Sequence, residues 1–240
     1  MIRLAGMLDL TMPNRRGRPL TPVQQVCIAL NFFGGGHFNR VSALCGGVSS
    51  TAAWNAIGRV TNQLVACKRQ FMRMPTPQEM AATAQRLRNR FHLPRFALEA
   101  DCVIVKFDGA LRKLPPGVVK QNHWCWKMVY GINTQVVGND AGKILDINIT
   151  FHGATHDARI WSNSSVKRAI ESQGQFLVAG DSGYPISKHL ITPYRTAEAL
   201  VDPSKALFNR RHSGLRTVMT ENIFGVWKRR FPCINFLRCH

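Results

Sequence analysis

Apolar residues recur at helical spacing through the first third of the chain. Thr21 and Pro22 are a favoured capping residue and a favoured first residue of a helix, and apolar positions follow every three or four residues until three glycines at 34–36. A second short helix is predicted over 38–45, before two further glycines. Ser49 or Ser50 can cap a third helix, whose apolar stripe comprises Trp54, Ile57, Val60 and Leu64.

The order helix, glycine turn, helix is typical of a helix-turn-helix DNA-binding region. Asn55 and Arg59 lie off the apolar stripe of the third helix, so we expect them to contact DNA. An ordinary helical bundle has the same pattern, and the two interpretations stay open. A basic connector and a helix from Pro77 to Arg90 complete a predicted helical region over 1–92.

From Leu93 the pattern changes to short apolar runs separated by turns. Val103, Ile104 and Val105 are β-branched, and the segment 138–142 is rich in hairpin-forming residues. The order predicts an α/β domain over 93–240, with a mixed sheet flanked by helices. Its predicted elements are strands at 98–107, 127–137, 143–151 and 176–179 and helices at 158–172 and 214–230.

The charge of the chain favours a polyanionic partner. Among 240 residues, 32 Lys and Arg stand against 13 Asp and Glu, which gives a net charge of +19. Nearly all acids lie in the middle of the chain, between two basic flanks. The seven cysteines form no Cys-x-x-Cys pair, which favours a reducing compartment, and no apolar run is long enough to cross a bilayer.

Four acidic residues are spaced as a phosphodiester-cutting metal site requires. Such a site needs carboxylates that converge from strand ends and a packing helix, because Mg²⁺ and Mn²⁺ prefer oxygen ligands. Asp101 lies in the first strand, Asp181 follows a short buried strand, and Glu221 lies on the last helix. Asp157 stands at the start of a helix and is the fourth candidate.

Three of these acids also have a simpler interpretation. Asp157 can be the helix cap, and Asp181 can close an Asp-Ser-Gly turn. Glu221 can pair on the surface with Arg216 or Lys228. Glu99 shares the face of Asp101 by the two-residue period of a strand, so it can assist that ligand or replace it.

Three ordered blocks carry a resemblance to a known family. His152-Gly-Ala-Thr-His-Asp157-Ala-Arg-Ile-Trp161 resembles the Gly-Ser-x-His-Asp signature of PIF/Harbinger-type DDE transposases and Harbinger transposase-derived nucleases. Gly180-Asp-Ser-Gly-Tyr-Pro185 and the following Leu190-Ile-Thr-Pro-Tyr194 resemble the next block. The closing block is matched by Phe208-Asn-Arg-Arg-His212 and Glu221-Asn-Ile-Phe-Gly225.

The resemblance implies an RNase H-like DDE endonuclease domain that uses divalent metal, Mg²⁺ or Mn²⁺. It implies metal ligation by Asp101, Asp157, Asp181 and Glu221, with Asp101, Asp181 and Glu221 as the catalytic core. DNA is the implied substrate, and a separate Myb-like DNA-binding protein is a plausible partner. The basic residues that we expect to contact DNA are Arg159, Arg216, Lys228, Arg229 and Arg230.

Two departures from the family pattern give a second hypothesis. The family usually follows its first Asp with Gly-Thr-His, whereas Cys102-Val103-Ile104 stands here. Both ends of the chain are shorter than is common in the family, so we expect a truncated C-terminus. The alternative to a nuclease is therefore a domesticated, non-catalytic DNA-binding or adaptor protein that keeps the fold. Either function, with the basic clusters, predicts a location in the nucleus, with the cytoplasm as a further possibility.

Overall fold

The fold is described from a computed structural model, which defines residues 1–11, 19–108, 119–235 and 237–238. These residues cluster into two compact units. The helical unit comprises 1–71, 107–109 and 228–240, and the sheet unit comprises 72–106 and 110–227. Within the described residues, no helix is both long and apolar enough to span a bilayer.

The helical unit contains the three helices expected from the sequence. Its elements are α1 (Ile2–Met7), α2 (Pro22–Gly35), α3 (Asn39–Cys45), α4 (Ser50–Ala66) and α5 (Lys68–Phe71). Thr21 caps α2 in a reciprocal capping box with Gln24, and Ser49 caps α4. Gly36 ends α2 with a φ of 60°, a conformation that glycine adopts without strain. A two-residue strand, β6 (Leu237–Arg238), pairs in parallel with Phe107 and Asp108.

Helices α2, α3 and α4 pack on one another around a small apolar core. Ala53, Ala56, Ile57 and Val60 form the buried face of α4. The expectation that Trp54 belongs to this face is wrong, because 54% of its surface is exposed. Ala53 and Ala56 take the place of Trp54 on the buried face, and their small side chains let the helices approach closely. The packing fits both a helix-turn-helix and a plain bundle, and DNA binding by α4 stays a prediction.

The sheet unit holds five strands in the order β3-β2-β1-β4-β5. Strand β2 is antiparallel to β1 and β3, while β4 and β5 run parallel to β1. This arrangement is that of an RNase H-like sheet and confirms the expected fold class. The strands are β1 (Phe96–Asp108), β2 (Gly131–Gly138), β3 (Ile144–His152), β4 (Leu177–Ala179) and β5 (Leu190–Ile191).

Helices flank this sheet, and the last of them is much longer than expected. Asp202 caps a helix that begins at Pro203 and continues through a π-helical segment to Arg230. The helices are α6 (Pro77–Phe91), α7 (Asp157–Ser162), α8 (Ser165–Gln173), α9 (Thr196–Val201), α10 (Pro203–Arg216) and α11 (Asn222–Arg230), with the π-segment Thr217–Glu221 between the last two.

Two predicted elements differ from the structure. The single helix expected over 158–172 is two helices, because Asn163 ends α7 and the Ser164 hydroxyl caps α8. The strand expected from Lys127 begins only at Gly131. The residues before it form a tight turn in which Met128 has a φ of 57°.

Candidate active site

Asp101 and Asp181 come together because β1 and β4 are neighbouring parallel strands. Glu99 is paired with Ala179, the last residue of β4, so Asp181 follows at the level of Asp101. Carboxyl ends of parallel strands meet at one edge of a sheet, which is where open α/β sheets place ligands. One oxygen of each carboxylate is held locally: Asp101 Oδ1 accepts from the N–H of Cys102 at 2.7 Å, and Asp181 Oδ1 accepts from that of Gly183 at 3.0 Å.

Asp157 joins this pair from the start of α7. A side chain added at Gly183 would place its Cβ 3.1 Å from an oxygen of Asp181 and 3.5 Å from one of Asp157, so both carboxylates border the same glycine. Asn133 on β2 fixes Asp157, because its Nδ2 donates to Oδ1 at 2.7 Å and to the carbonyl of Thr155 at 2.8 Å.

The interpretation of Asp157 as a helix cap is wrong. The N-cap of α7 is His156, whose ring Nδ1 accepts from the N–H of Ala158 at 3.3 Å. Asp157 is the first helical residue and is only partly buried. Its second oxygen, Oδ2, borders Gly183 and not the helix end, which leaves this atom on the side of Asp181.

A buried ion-pair network binds the carboxylate of Asp101. Arg216 on α10 donates from Nε to Glu99 Oε1 at 2.8 Å and from Nη2 to Asp101 Oδ2 at 2.9 Å. Glu99 is completely buried, and whether it assists Asp101 or replaces it as the ligand stays open. The shared face of Glu99 and Asp101, predicted from the strand period, is confirmed by their common partner.

The π-segment supplies the second donor to Glu99. A π-segment inserts one extra residue into an α-helix and changes which backbone groups are bonded within the helix. Here the N–H of Thr220 donates to Glu99 Oε2 at 2.9 Å. Both oxygens of the buried carboxylate are therefore bonded to the last helix, which ties β1 to the helix that carries Glu221.

Glu221 lies in the π-segment, next to Thr220 but on the exposed side. Its carboxylate accepts from the hydroxyl of Thr217 at 3.1 Å. The expected surface pair with Arg216 is wrong, because that guanidinium binds Glu99 and Asp101. Among the contacts of the described residues, none joins Glu221 to the three aspartates, so its part in metal ligation stays a prediction.

Burial sets the protonation of the two acids on β1. It raises the pKa of Asp101 to about 6, and Asp181 raises it further, while Arg216 opposes both. Burial raises the pKa of Glu99 to about 8, against the N–H of Thr220 and the charge of Arg216. Two neighbouring carboxyl groups whose pKa values are raised toward neutrality are typical of a functional site.

Cys102 follows Asp101 on β1 and lies on the opposite face of the strand. Its Sγ is 3.1 Å from the hydroxyl of Tyr184, which also accepts from Gln135 Nε2 at 3.2 Å. Burial and the charge of Asp157 raise the pKa of the Cys102 thiol, which keeps it neutral. A neutral thiol is a weak ligand for hard ions such as Mg²⁺.

The oxygen atoms of the three aspartates are the ligand type that a hard divalent ion prefers. Within the ranges that the structure defines, no three His, Cys, Asp and Glu side chains stand in a ready metal-binding geometry. The Arg216 guanidinium supplies the positive charge beside Asp101 in this arrangement. The donor set therefore fits Mg²⁺ or Mn²⁺, provided that the aspartate side chains turn toward a common ion.

The residues expected to contact DNA occupy different environments. Arg159 on α7 is exposed, two residues from Asp157. Asn55 on α4 is exposed, whereas Arg59 donates from Nε to the buried Gln25 at 2.8 Å and so helps to pack the helical unit. The basic residues that end α11 are Lys228, which is half-buried, and Arg229 and Arg230, which are exposed. Their contacts with DNA stay predictions, as does that of Arg216.

Sequence reasoning missed two sets of residues in the sheet unit. Asn133, the residue that fixes Asp157, lies 24 positions away and has no local signal of its role. Trp124 and Trp126 precede β2 in a short hairpin. Two tryptophans within three residues, next to a lysine, are a sequence signal that could have identified this hairpin. The strand predicted over 127–137 covers part of the hairpin, so the signal was missed.

Comparison with known proteins identifies a family and several relatives. A family model described as DDE superfamily endonuclease matches residues 100–239, a range that contains all four predicted metal ligands. The curated relatives include "Putative nuclease HARBI1" of Homo sapiens, 24% identical over 98% of this chain and 65% of the relative. The protein of the same name from Xenopus laevis is 22% identical over 95% of this chain and 63% of the relative. The chain thus spans slightly less than two thirds of the length of these relatives.

Solved structures of Mos1 transposase also match, at a low level. The Mos1 transposase paired-end complex with left transposon end is 16% identical, covers 86% of this chain and 68% of that chain, and has a TM-score of 0.25. The pre-cleavage Mos1 transpososome is 15% identical, covers 86% of this chain and 69% of that chain, and has a TM-score of 0.23.

Proposed function

The chain belongs to the DDE superfamily endonucleases, and on that premise we propose that it is a metal-dependent nuclease that hydrolyses phosphodiester bonds in DNA. One observation carries the proposal: Asp181 follows β4 at the level of Asp101 on the neighbouring strand β1, and it borders the same glycine as Asp157. The net charge of +19 favours a polyanionic substrate.

In this proposal the three aspartates, with Glu221, hold two divalent ions, Mg²⁺ or Mn²⁺. When bound, such ions supply an activated water and compensate the charge that develops on the phosphate. Asp101, Asp181 and Glu221 are the catalytic core, and Asp157 is the fourth ligand. Asn133 orients Asp157, and Glu99 acts through Arg216 to orient Asp101.

Basic side chains would hold the DNA backbone. Arg159 is the candidate nearest in sequence to a ligand, and Lys228, Arg229 and Arg230 form a basic cluster at the end of the last helix. We place the protein in the nucleus, where its substrate lies. A separate Myb-like DNA-binding protein is the partner that we propose for target selection.

A second function is favoured by one specific observation. Arg216 occupies Oδ2 of Asp101, and Cys102-Val103-Ile104 follows this acid where the family usually has Gly-Thr-His. An internal cation that permanently neutralises the first ligand would disable metal binding. The chain would then be a domesticated DNA-binding or adaptor protein that keeps the fold without cleaving DNA.

Cleavage of a supercoiled plasmid in Mg²⁺ or Mn²⁺ separates the two functions. The nuclease proposal expects nicking by the wild type, none in EDTA, and none by Asp181→Asn or Glu221→Gln, while both variants still bind DNA. Arg195→Gln serves as a matched control, because it removes an exposed charge outside the acidic cluster. Nicking by both acid variants would reject the proposed site, and salt-sensitive DNA binding without nicking by any form would favour the adaptor.

A further inference from the structure

A short hairpin before β2 exposes large aromatic side chains. We call residues 119–130 the tryptophan hairpin. Trp124 and Tyr130 pair across it as an isolated antiparallel bridge, and the N–H of Cys125 donates to the carbonyl of Val129 at 3.0 Å. Cys125 is buried at its centre, yet 83% of Trp126 and 43% of Trp124 are exposed. An exposed tryptophan pair on a rigid turn is a recurring sign of a binding surface.

Lysines accompany these rings, and acids do not. Lys127 Nζ lies 5.0 Å from the centre of the Trp126 ring, and Lys120 Nζ lies 4.9 Å from that of Tyr130. Between Val119 and Tyr130 the sequence contains neither Asp nor Glu. Aromatic faces combined with cations are the chemistry that binds unpaired nucleotides, since every base has a π-face and every linkage a negative charge.

The hairpin is fastened to the loop that leads to a proposed metal ligand. The carbonyl of Asn122 accepts from the N–H of Ala154 at 3.0 Å, three residues before Asp157. Gly153 lies so close to the hairpin that an added Cβ would stand 2.6 Å from the carbonyl oxygen of His123. The rings of His123 and His152 also meet edge to face, with centroids 4.4 Å apart. A base held by the hairpin would therefore belong to DNA near the acidic cluster.

Charge decides between DNA and another protein as the occupant. Tryptophan is also enriched in protein interfaces, so a second copy of the chain would be a natural candidate. A second copy carries the same charge of +19 and would meet the hairpin lysines with repulsion. A polyanion with unpaired bases satisfies both the rings and the cations.

We propose that the tryptophan hairpin is a stacking platform for unpaired DNA bases, placed beside the acidic site. This proposal rests on the proposed function only for the identity of the polymer. Chemistry on DNA requires local unpairing or a distorted strand, and a ring that stacks on a displaced base would stabilise that geometry. Trp126 would be the principal stacking residue, with Trp124 as the second, half-buried ring.

The test measures DNA binding in the absence of divalent metal, so that binding is separated from cleavage. Fluorescence anisotropy in EDTA would compare a fully paired duplex with the same duplex carrying four unpaired thymidines at one end. The wild type should prefer the tailed duplex. Trp126→Ala should lose roughly 5- to 150-fold in affinity for the tail, the cost of about one stacked base, and little for the paired duplex.

Three controls keep the result decisive. Trp126→Phe should retain most of the preference, and Leu200→Ala, which truncates another highly exposed apolar side chain, should retain all of it. An unchanged thermal midpoint for Trp126→Ala would verify its fold. Equal affinity of the wild type for the two duplexes, or an unchanged preference in Trp126→Ala, would overturn the proposal. Loss of self-association in Trp126→Ala without any change in DNA preference would assign the hairpin to a protein contact and overturn it too.

The outcomes for the two proposals remain distinct. A tail preference that depends on Trp126 in a protein that never nicks plasmid would support the hairpin and reject the nuclease. Metal-dependent nicking, together with a tail preference that does not depend on Trp126, would support the nuclease and reject the hairpin proposal.

Discussion

Arg216 donates to Asp101 Oδ2 across 2.9 Å and joins residues that are 115 positions apart in the chain. The same guanidinium binds Glu99, whose second oxygen accepts from the backbone of Thr220. Three elements are thereby connected: the first strand, helix α10 and the π-segment that carries Glu221. The network holds the carboxylate of the first proposed ligand in place.

Removal of Arg216 should therefore destabilise the fold as well as the site. At a pH above the Glu99 pKa of about 8, Arg216→Met leaves this buried carboxylate without its ion-pair partner, which typically costs about 3–5 kcal/mol. Urea unfolding would measure this loss. The same cost disappears when the buried charge is also removed. The loss of unfolding free energy in the double variant Glu99→Gln/Arg216→Met should therefore be clearly smaller than the sum of the losses in the two single variants. Additive losses would show that the two residues act independently.

Gly183 offers a way to perturb the acids without changing any of them. In Gly183→Ala the new methyl would stand 3.1 Å from Asp181 Oδ1 and 3.5 Å from Asp157 Oδ2. We expect weaker Mn²⁺ binding and slower nicking, with little change in the thermal midpoint. Gly58→Ala is the matched control, because nothing lies within 4 Å of its added Cβ. Equal Mn²⁺ affinities in the two variants would place the ion away from these two aspartates.

Local signals in the sequence predicted the elements of the fold well, and the long-range partners of the site residues poorly. The capping boxes at Thr21 and Thr76 are set by neighbouring residues, and both helices begin where expected. The partners of Glu99 lie 117 and 121 positions away, and no local pattern encodes them. The sequence leaves Asp157 open between ligand and cap because Asp is itself a favoured capping residue, whereas the cap in the structure is His156, which the local pattern does not indicate.

His212 makes a pH-dependent contribution that can be measured apart from the metal site. Burial lowers its pKa to about 4, and its Nε2 donates to the carbonyl of Ile191 at 3.1 Å. Above pH 6.5 the ring is neutral in both states. As the pH falls toward 4, the unfolded chain takes up a proton on this ring that the folded chain does not. The unfolding free energy therefore falls, by about 3 kcal/mol over the whole range.

His212→Gln should remove this dependence. The difference in unfolding free energy between the wild type and the variant should narrow steadily from pH 7 to pH 4, as measured by urea unfolding. Asn62→Gln, which changes an exposed side chain that does not titrate, should give a constant difference over the same range. A constant difference for His212→Gln as well would mean that the buried ring takes up its proton in the folded state at ordinary pH.

Calorimetric titration of Mn²⁺ into the wild type and into Asp181→Asn at pH 7.5 tests most directly whether the carboxylates form a metal site. At this pH Asp101 is ionised, because its pKa is about 6. We expect saturable binding in the wild type and its loss in Asp181→Asn, with both proteins unfolding at similar temperatures in EDTA. Identical heats of Mn²⁺ binding in the two proteins would contradict the account, because the aspartates would then not form a metal site.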